Sequence, residues 1–317
     1  MAKLLTLGEL LVDLTQIGMD DRKIRQFAAN PGGAPANVAV AAARLGCPSG
    51  FIGKVGRDTF GADLRDVLVR SGVETGGLYE TGKALTTEAV VSVAPGGERS
   101  FAFYRNPGAD TLLTEEEALS AMKELPRVLH VGSVSLTADP VRSATLGAVR
   151  YAREKNVLVS YDPNYRANLW PDQETALTWM KKPLPMTDIL KISDEELPLL
   201  TGTDDPEAGT ALLAELGIRL IVVTLGSKGV FFRLGEACGT VPGYKVKVAD
   251  TNGAGDTFHG ALLSRLIGRG EHPLDGLTAE ELASMLDFAN RAAALTCSRS
   301  GAIPAMPTLA EVEAFAK

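Results

Sequence analysis

The chain has 317 residues, of which 45% are hydrophobic and 22% charged, a balance that excludes an intrinsically disordered protein. Its net charge of -7 at pH 7 excludes the overall basic surface of a nucleic-acid-binding protein, and no apolar stretch is long enough to span a membrane. The three cysteines, Cys47, Cys238 and Cys297, predict no complete disulfide framework. We therefore expect a folded cytoplasmic protein with neither nucleic acid nor membrane as a partner.

Strands and helices are predicted to alternate along most of the chain. Apolar runs predict buried strands at residues 4–7, 128–131, 157–161, 189–192 and 220–223. Segments with helical spacing lie at residues 36–45, 60–71, 140–155 and 208–216. Capping-box patterns predict further helix starts at Thr114, Thr278 and Thr308. This alternation predicts an α/β fold, a doubly wound, mostly parallel sheet with helices on both faces.

One stretch departs from this alternation and predicts a β-hairpin. Residues 86–93 and 100–104 are rich in β-branched and aromatic residues, and turn formers at residues 95–98 separate them. A hairpin of this size holds no core of its own, so it must lie against another part of the molecule. A lid over a site and an extra edge hairpin both satisfy this requirement.

The strongest local motif is the run from Asp250 to Asp256, Asp-Thr-Asn-Gly-Ala-Gly-Asp, which precedes an amphipathic segment. Gly253 and Gly255 let the backbone approach a ligand closely, and the N–H groups of a helix that begins around Ala254 form an anion site. Asp256 then falls in the first turn, where its carboxylate can accept a proton from a hydroxyl that attacks phosphorus. The alternative is that Asp256 only complements the helix dipole.

A second glycine segment, residues 31–39, also opens a predicted helix. Gly32 and Gly33 leave room for a polyol against bare backbone, and the Asn37 amide can donate to and accept from hydroxyls. A plain loop-to-helix turn is the alternative. Asp13 follows the first strand and is either a carboxylate that accepts from sugar hydroxyls or a residue that ends the strand.

Several other polar residues have two interpretations each. Arg105 and Arg166 offer planar forks of donors for anionic groups, or are surface residues. Lys191 and Glu196 follow a strand at the carboxyl edge, where open α/β sheets bind ligands, or begin a solvated helix. The glycine turn at residues 224–229 suits a nucleotide phosphate or a simple β-turn.

Common catalytic motifs are absent from the sequence. It contains no P-loop, no dinucleotide-binding fingerprint after the first strand, no G-x-S-x-G elbow and no H-E-x-x-H pair. His130, His259 and His272 are too dispersed to indicate a metal cluster, and we expect them to be structural.

Together the two glycine segments resemble the two signature regions of the ribokinase-like (PfkB) family of carbohydrate kinases. Residues 31–46 match the N-terminal signature and residues 250–263 the C-terminal one. The resemblance extends over nearly the whole chain and implies a single ribokinase-like kinase domain over residues 1–317. It also implies a small β-sheet lid, with strands from about residues 13–30 and 75–105.

The resemblance implies roles for individual residues. Asp256 becomes the catalytic base, and the backbone of Gly253, Ala254 and Gly255 becomes the anion hole. The implied sugar contacts are Asp13, Gly32, Gly33, Asn37, Arg105 and Arg166. The implied ATP contacts are Lys191, Thr224, Gly226, Ser227, Gly229 and Asn290.

Two ions are implied as well. Glu196 retains the acidic residue of the family's Asn-x-x-Glu motif and is expected to act on Mg²⁺ indirectly, although Ser193 stands in place of the Asn. A K⁺ site beside the anion hole is implied at Asp250, Asn252, Thr296 and Gly301. Ala305 departs from this pattern, because some relatives have Ser there.

Within the family, residues 103–110, 161–166 and 191–196 resemble fructokinases. The expected reaction is ATP-dependent phosphorylation of a primary hydroxyl, from fructose to fructose 6-phosphate. Two alternatives stay open: a 2-keto-3-deoxygluconate kinase, which shares parts of these segments, and a catalytically inactive relative that senses sugar. The exposed edge of a lid sheet favours a homodimer through the lid.

Overall fold

The computed structural model describes residues 2–93 and 99–315, so the turn expected at residues 95–98 lies outside it. The strands are β1 (Leu4–Leu7), β2 (Leu11–Met19), β3 (Arg25–Gly32), β4 (Ser49–Gly56), β5 (Glu74–Thr81), β6 (Glu88–Val93), β7 (Arg99–Tyr104), β8 (Val128–Gly132), β9 (Leu158–Asp162), β10 (Ile189–Ser193), β11 (Leu220–Thr224), β12 (Gly229–Leu234) and β13 (Ala237–Pro242).

Nine of these strands form one large sheet in the order β13-β12-β11-β10-β9-β8-β1-β4-β5. The strands from β11 to β5 in that order are parallel, and β12 and β13 add an antiparallel edge. The chain winds outward from β1 in both directions, because β4 lies on one side of β1 and β8 on the other. Connections diverge at such a switch point and leave a crevice at the carboxyl edge, where open α/β sheets bind ligands.

Helices cover both faces of the large sheet, which confirms the predicted fold class. They are α1 (Ala34–Arg44), α2 (Thr59–Arg70), α3 (Glu115–Ala121), α4 (Val141–Glu154), α5 (Gln173–Met180), α6 (Glu196–Thr201), α7 (Pro206–Ala214), α8 (Ala254–Gly268), α9 (Ala279–Cys297) and α10 (Leu309–Ala314). Short 3₁₀ helices lie at Ala109–Leu112, Val134–Leu136, Ala167–Leu169, Leu184–Met186, Gly226–Lys228 and Ile303–Ala305. Within the described ranges, no helix is both long and apolar enough to cross a membrane.

The two faces of the large sheet carry separate hydrophobic cores. Successive side chains of a strand point to opposite faces. In β1 the buried Leu4 belongs to the core that includes side chains of α1, α8 and α9, and the buried Leu7 belongs to the core that includes side chains of α3 to α7. A parallel sheet buried on both faces needs apolar residues at nearly every position, which accounts for the continuous runs in the sequence. The expected capping boxes at Thr114, Thr278 and Thr308 are present and begin α3, α9 and α10.

A separate four-stranded sheet has the order β3-β2-β6-β7. It consists of two antiparallel hairpins, β2 with β3 and β6 with β7, joined by parallel pairing of β2 with β6. The expected lid segments differ from this small sheet in two ways. The first begins earlier, at Leu11, and residues 75–81 belong to β5 of the large sheet. Gly76 and Gly77 have low β-propensity, so the sequence does not predict this strand. It forms because it pairs with β4.

Candidate active site

Two adjoining cavities open at the carboxyl edge of the large sheet. The small-sheet cavity, of about 710 Å³, has Glu9, Asp13, Asn37, Arg166 and Asp256 in its wall. The α9 cavity, also of about 710 Å³, lies between the β11–β13 edge and helices α8 and α9. Thr251 lines both cavities, so they meet at the loop that leads into α8.

The first turn of α8 lies where the cavities meet. Gly253 and Asp256 line the small-sheet cavity, whereas Ala254 and Gly255 line the α9 cavity. Gly253 precedes the helix with a φ of 73°, and a Cβ there would lie 2.9 Å from the Cβ of Ala302. Only glycine fits this turn without strain. The structure therefore places the four residues of the predicted anion hole and base at one junction.

Asp256 is buried in this first turn. Its Oδ2 accepts a 2.8 Å hydrogen bond from Nδ2 of Asn37, which joins the two glycine segments. Burial raises the pKa of Asp256 to about 6; the Asn37 bond lowers it, Asp162 raises it, and Lys191 and Arg166 lower it. A carboxyl with such a pKa is ionised at neutral pH and more basic than an exposed aspartate, as a proton acceptor needs to be.

Lys191 lies behind the same turn, in an ion pair that the sequence did not indicate. Its Nζ donates to Oδ2 of Asp162 at 2.8 Å, and both side chains are buried. A Cβ at Gly255 would lie 3.1 Å from this Nζ. Burial alone would lower the pKa of Lys191, but Asp162 and Glu196 outweigh it and raise the pKa. The ammonium group is therefore a fixed positive charge beside the N-terminus of α8.

A chain of buried polar groups continues below this ion pair. His259 Nδ1 lies 3.8 Å from Asp162 Oδ2, and its Nε2 lies 2.8 Å from the Ser160 hydroxyl, which also contacts His130. Burial lowers the pKa of both imidazoles, so both are neutral near pH 7. Across the described ranges no cluster of three His, Cys, Asp or Glu could hold a metal ion.

Asp13, Gly32 and Gly33 lie close together on the small-sheet side. A Cβ at Gly32 would collide with the Asp13 carboxylate, and one at Gly33, whose φ is 108°, with the Glu9 carbonyl. Burial raises the pKa of Asp13 to about 6, Arg166 lowers it, and Asp256 raises it. Glycine at both positions therefore lets the start of α1 approach the carboxyl groups of this wall.

Glu9 is a site residue that sequence reasoning missed. It lies two residues after the end of β1, is 4% exposed and lies in the cavity wall. Its Oε1 accepts from the Ala34 N–H at 2.9 Å. An acidic residue just after a buried strand, at the edge where ligands bind, was the signal available for it.

The two arginines differ in their surroundings. Arg105 is buried and pairs with Asp110 at 2.7 Å, and it also donates to the Thr137 hydroxyl and the Val134 carbonyl. These contacts anchor the end of β7. Arg105 does not line the small-sheet cavity, and its expected contact with the sugar stays a prediction. Arg166 is exposed and lines that cavity, where it remains a candidate.

Glu196 and Ser193 form a reciprocal cap at the start of α6. Glu196 Oε2 accepts from the Ser193 N–H at 2.9 Å, and the Ser193 hydroxyl accepts from the Glu196 N–H at 3.2 Å. The other oxygen, Oε1, accepts from the Tyr165 N–H at 2.7 Å. Ser193 therefore keeps Glu196 in place, and Glu196 fixes the loop that carries Arg166.

Most of the residues predicted to bind the nucleotide line the α9 cavity. Its walls include Thr224, Gly226, Ser227, Gly229 and Asn290. The Asn290 amide donates to the carbonyl of Pro242 at 3.1 Å, which ties α9 to the end of β13. Lys191 belongs to neither cavity wall and lies beneath the turn between them.

Asp250 connects two loops beside α8. Its carboxylate accepts from the Asn252 N–H at 3.0 Å and from the Gly301 N–H at 3.2 Å. The Thr296 hydroxyl donates to that of Thr257, in the first turns of α8, at 3.1 Å. The four residues of the predicted K⁺ site thus lie on elements that meet next to the anion hole.

Comparison with known proteins places this site in a family. The model for the pfkB family carbohydrate kinase matches residues 1–309. Fructokinase-1 of Oryza sativa subsp. japonica is 43% identical over 308 residues, which cover 96% of this chain and 94% of that protein. The fructokinase of Xylella fastidiosa with bound ATP has a TM-score of 0.90 and 36% identity, covering 99% of this chain and 98% of its own. A fructokinase double mutant of Vibrio cholerae O395, in fructose, ADP and potassium ion bound form, has a TM-score of 0.88 and 34% identity, covering 100% and 99%. The chain belongs to the pfkB family of carbohydrate kinases.

Proposed function

We propose that the chain transfers the γ-phosphoryl group of ATP to the primary hydroxyl of fructose, giving fructose 6-phosphate. The observation that carries the proposal is the first turn of α8, which stands between two cavities with a buried carboxylate on one side and glycine backbone on the other. The similar proteins named above are fructokinases, and the two solved structures among them contain ATP in one case and fructose, ADP and a potassium ion in the other. The sugar then occupies the small-sheet cavity and ATP the α9 cavity.

The reaction needs positioning and charge stabilisation more than covalent chemistry. Asp256, held by Asn37, accepts the proton of the hydroxyl that attacks the γ-phosphorus. The first helical bond of α8 runs from Thr257 N–H to Gly253 carbonyl at 2.8 Å, so the amides of Gly255 and Asp256 precede it and stabilise the transferred group.

Lys191 adds positive charge beside those amides. Mg²⁺, when bound with ATP, neutralises phosphate charge. Glu196 suits an indirect role toward Mg²⁺, because both of its oxygens already accept hydrogen bonds from backbone N–H groups. The remaining contacts are those expected from the sequence. For the sugar they are Asp13, Gly33, Asn37 and Arg166 in the wall of the small-sheet cavity, with Gly32 and Arg105, which do not line it, as further candidates. For ATP they are Thr224, Gly226, Ser227, Gly229 and Asn290.

The test is ADP release with Mg²⁺ over fructose, ribose, 2-keto-3-deoxygluconate and nucleosides, with the phosphorylated position identified by NMR. We expect the highest kcat/KM for fructose. An equal or higher value for 2-keto-3-deoxygluconate would establish the alternative kinase instead. Sugar binding by calorimetry without any turnover would indicate a sensor.

The kcat/KM for fructose should rise with pH and level off above about pH 6. Burial raises the pKa of Asp256 to about 6, and below that value the protonated carboxyl cannot accept the hydroxyl proton. Because kcat/KM for fructose at saturating ATP reports the enzyme form that has not yet bound fructose, its pH profile checks this. Asp13 titrates in the same range, so Asp13→Asn serves as the control and should keep the inflection. A flat profile down to about pH 5 would contradict Asp256 as the base.

We further propose that K⁺ activates the enzyme through the loops that Asp250 joins. A monovalent cation there adds positive charge near the N-terminus of α8 and rigidifies it. At constant ionic strength, kcat should be higher in K⁺ than in tetramethylammonium, and Asp250→Asn should remove the difference. Equal rates of the parent protein in both salts would rule the proposal out.

The small sheet is proposed to act as a lid and as a homodimer interface. It carries exposed apolar side chains on β2, just before β3 and at the end of β7: Ile17, Met19, Ile24 and Tyr104, each more than half exposed. Ile17→Asp should turn a dimer into a monomer in sedimentation equilibrium. Val69→Asp is the matched control, since Val69 is 56% exposed on α2 of the main domain, and it should stay dimeric. A monomeric parent protein at all concentrations would refute the interface.

A cytoplasmic location is proposed as well. Cys47, Cys238 and Cys297 are all free thiols, which suits a reducing compartment. Cell fractionation with an antibody to the chain tests this, and recovery from an oxidising compartment would overturn it.

A further inference from the structure

The carboxyl group of Glu9 lies beside two backbone donors, its own N–H and that of Ala34. Oε1 accepts from the N–H of Ala34, the first residue of α1, at 2.9 Å. Gly33 has no Cβ to collide with the Glu9 carbonyl, so α1 begins directly against this residue. The position of the carboxyl group is therefore fixed by β1 on one side and by α1 on the other.

The second oxygen, Oε2, is buried and has no hydrogen-bond partner among the described residues. A buried polar atom without a partner costs free energy, and native proteins retain few of them. Glu9 lies in the wall of the small-sheet cavity, so a ligand in that cavity can supply the missing partner.

Neighbouring side chains do not supply it. The Arg105 guanidinium is near enough for its charge to lower the pKa of Glu9, but its N–H groups donate to Asp110, Thr137 and Val134. Burial, the largest cause, raises the pKa of Glu9 to about 7. At neutral pH the group can therefore accept from a hydroxyl or, when protonated, donate to one.

Glu9 and the base lie at different points of the cavity wall. Glu9 accepts from the N–H of Ala34, whereas Asp256 accepts from the side chain of Asn37, three residues further along α1. A sugar whose primary hydroxyl contacts Asp256 has other hydroxyls available for Glu9.

We infer that Glu9 is a sugar-binding residue, whose Oε2 forms a hydrogen bond with one hydroxyl of the sugar other than the phosphoryl acceptor and so selects sugars that carry that hydroxyl. This rests on the proposed function. A site built to bond a hydroxyl rejects an analogue without it far more strongly than an apolar pocket rejects a missing methylene, since the polar group of the site is left unpaired. The competing account is that Glu9 only holds the start of α1.

The experiment measures kcat/KM for fructose and for analogues that lack, one at a time, each hydroxyl other than the acceptor. The parent protein is compared with Glu9→Leu, which removes both oxygens at similar size, and Glu9→Gln, which keeps an acceptor for Ala34. Asp13→Asn is the control, because Asp13 lies in the same wall and is expected to contact a different hydroxyl.

We expect one analogue to lose about 10²-fold in kcat/KM with the parent protein. Glu9→Leu should lose a similar factor on fructose and little further on that analogue. Glu9→Gln should fold with an unchanged Tm and discriminate against that analogue about tenfold less than the parent does. Asp13→Asn should likewise discriminate less than the parent, but against an analogue that lacks a different hydroxyl.

A merely structural role gives a different result. If Glu9→Leu lowers kcat/KM by the same factor for every sugar, or if it fails to fold and Glu9→Gln shows no analogue-specific change, the inference is overturned. In both cases the parent protein still phosphorylates fructose, so the proposed function survives. A parent protein that is inactive on fructose overturns both.

Discussion

Asp256→Asn should lower kcat for fructose phosphorylation by about 10²–10⁴-fold, the usual contribution of a general base. Asn has nearly the same shape and keeps an oxygen for the Asn37 amide, so the first turn of α8 should retain its geometry. The KM for fructose should change far less, because the lost interaction acts on the transition state. Steady-state ADP release measures both constants, and a variant with most of the parent kcat would contradict the assignment.

Stability separates this role from the helix-dipole alternative. Since burial raises the pKa of Asp256 from 3.8 to about 6, the ionised carboxylate lowers the stability of the folded state increasingly as pH rises through this range. The Tm of Asp256→Asn above about pH 6 should therefore equal or exceed that of the parent. Asp172→Asn is the matched control: Asp172 caps α5 from an exposed position, and the hydrogen bond from Thr175 N–H lowers its pKa, so loss of its charge should lower the Tm with no change in kcat. A dipole role for Asp256 would give the control's pattern.

The sequence predicts those parts of the site that depend on local chemistry. The turn at Gly253 needs a left-handed backbone conformation and no side chain that would block a ligand. Glycine meets both requirements, so the turn can be predicted from the sequence. The large-sheet strands are equally visible, because burial on both faces demands apolar residues at successive positions. The family resemblance predicts that the two glycine segments belong to one site. In the structure they are joined by the hydrogen bond from Asn37 to Asp256.

Partners set by strand neighbours are not visible in the sequence. Asp162 and Lys191 become an ion pair because β9 and β10 lie side by side, with Tyr161 opposite Leu190, and no local pattern gives that register. The ion pair of Arg105 is not visible in the sequence either. A cation at the end of a hairpin suggests a ligand contact, and the fold brings Asp110, five residues later, within 2.7 Å of its guanidinium.

Lys191→Met should reduce both stability and turnover. Removing the ammonium group leaves Asp162 as a buried charge without its partner, which typically costs about 3–5 kcal/mol in free energy of unfolding. It also removes the positive charge next to Gly255 and should lower kcat by about 10²–10³-fold, like the loss of one donor from an oxyanion hole. Denaturant unfolding and ADP release measure the two effects separately.

The double variant Asp162→Asn/Lys191→Met distinguishes the two effects. Neutralising Asp162 removes the unpaired charge, so most of the lost stability should return, while kcat should remain as low as in the single variant because the cation is still missing. Recovery of kcat together with stability would show that the ion pair only supports the fold. The first outcome would establish that Lys191, which lines neither cavity, acts on the phosphoryl group through its charge beneath the helix terminus.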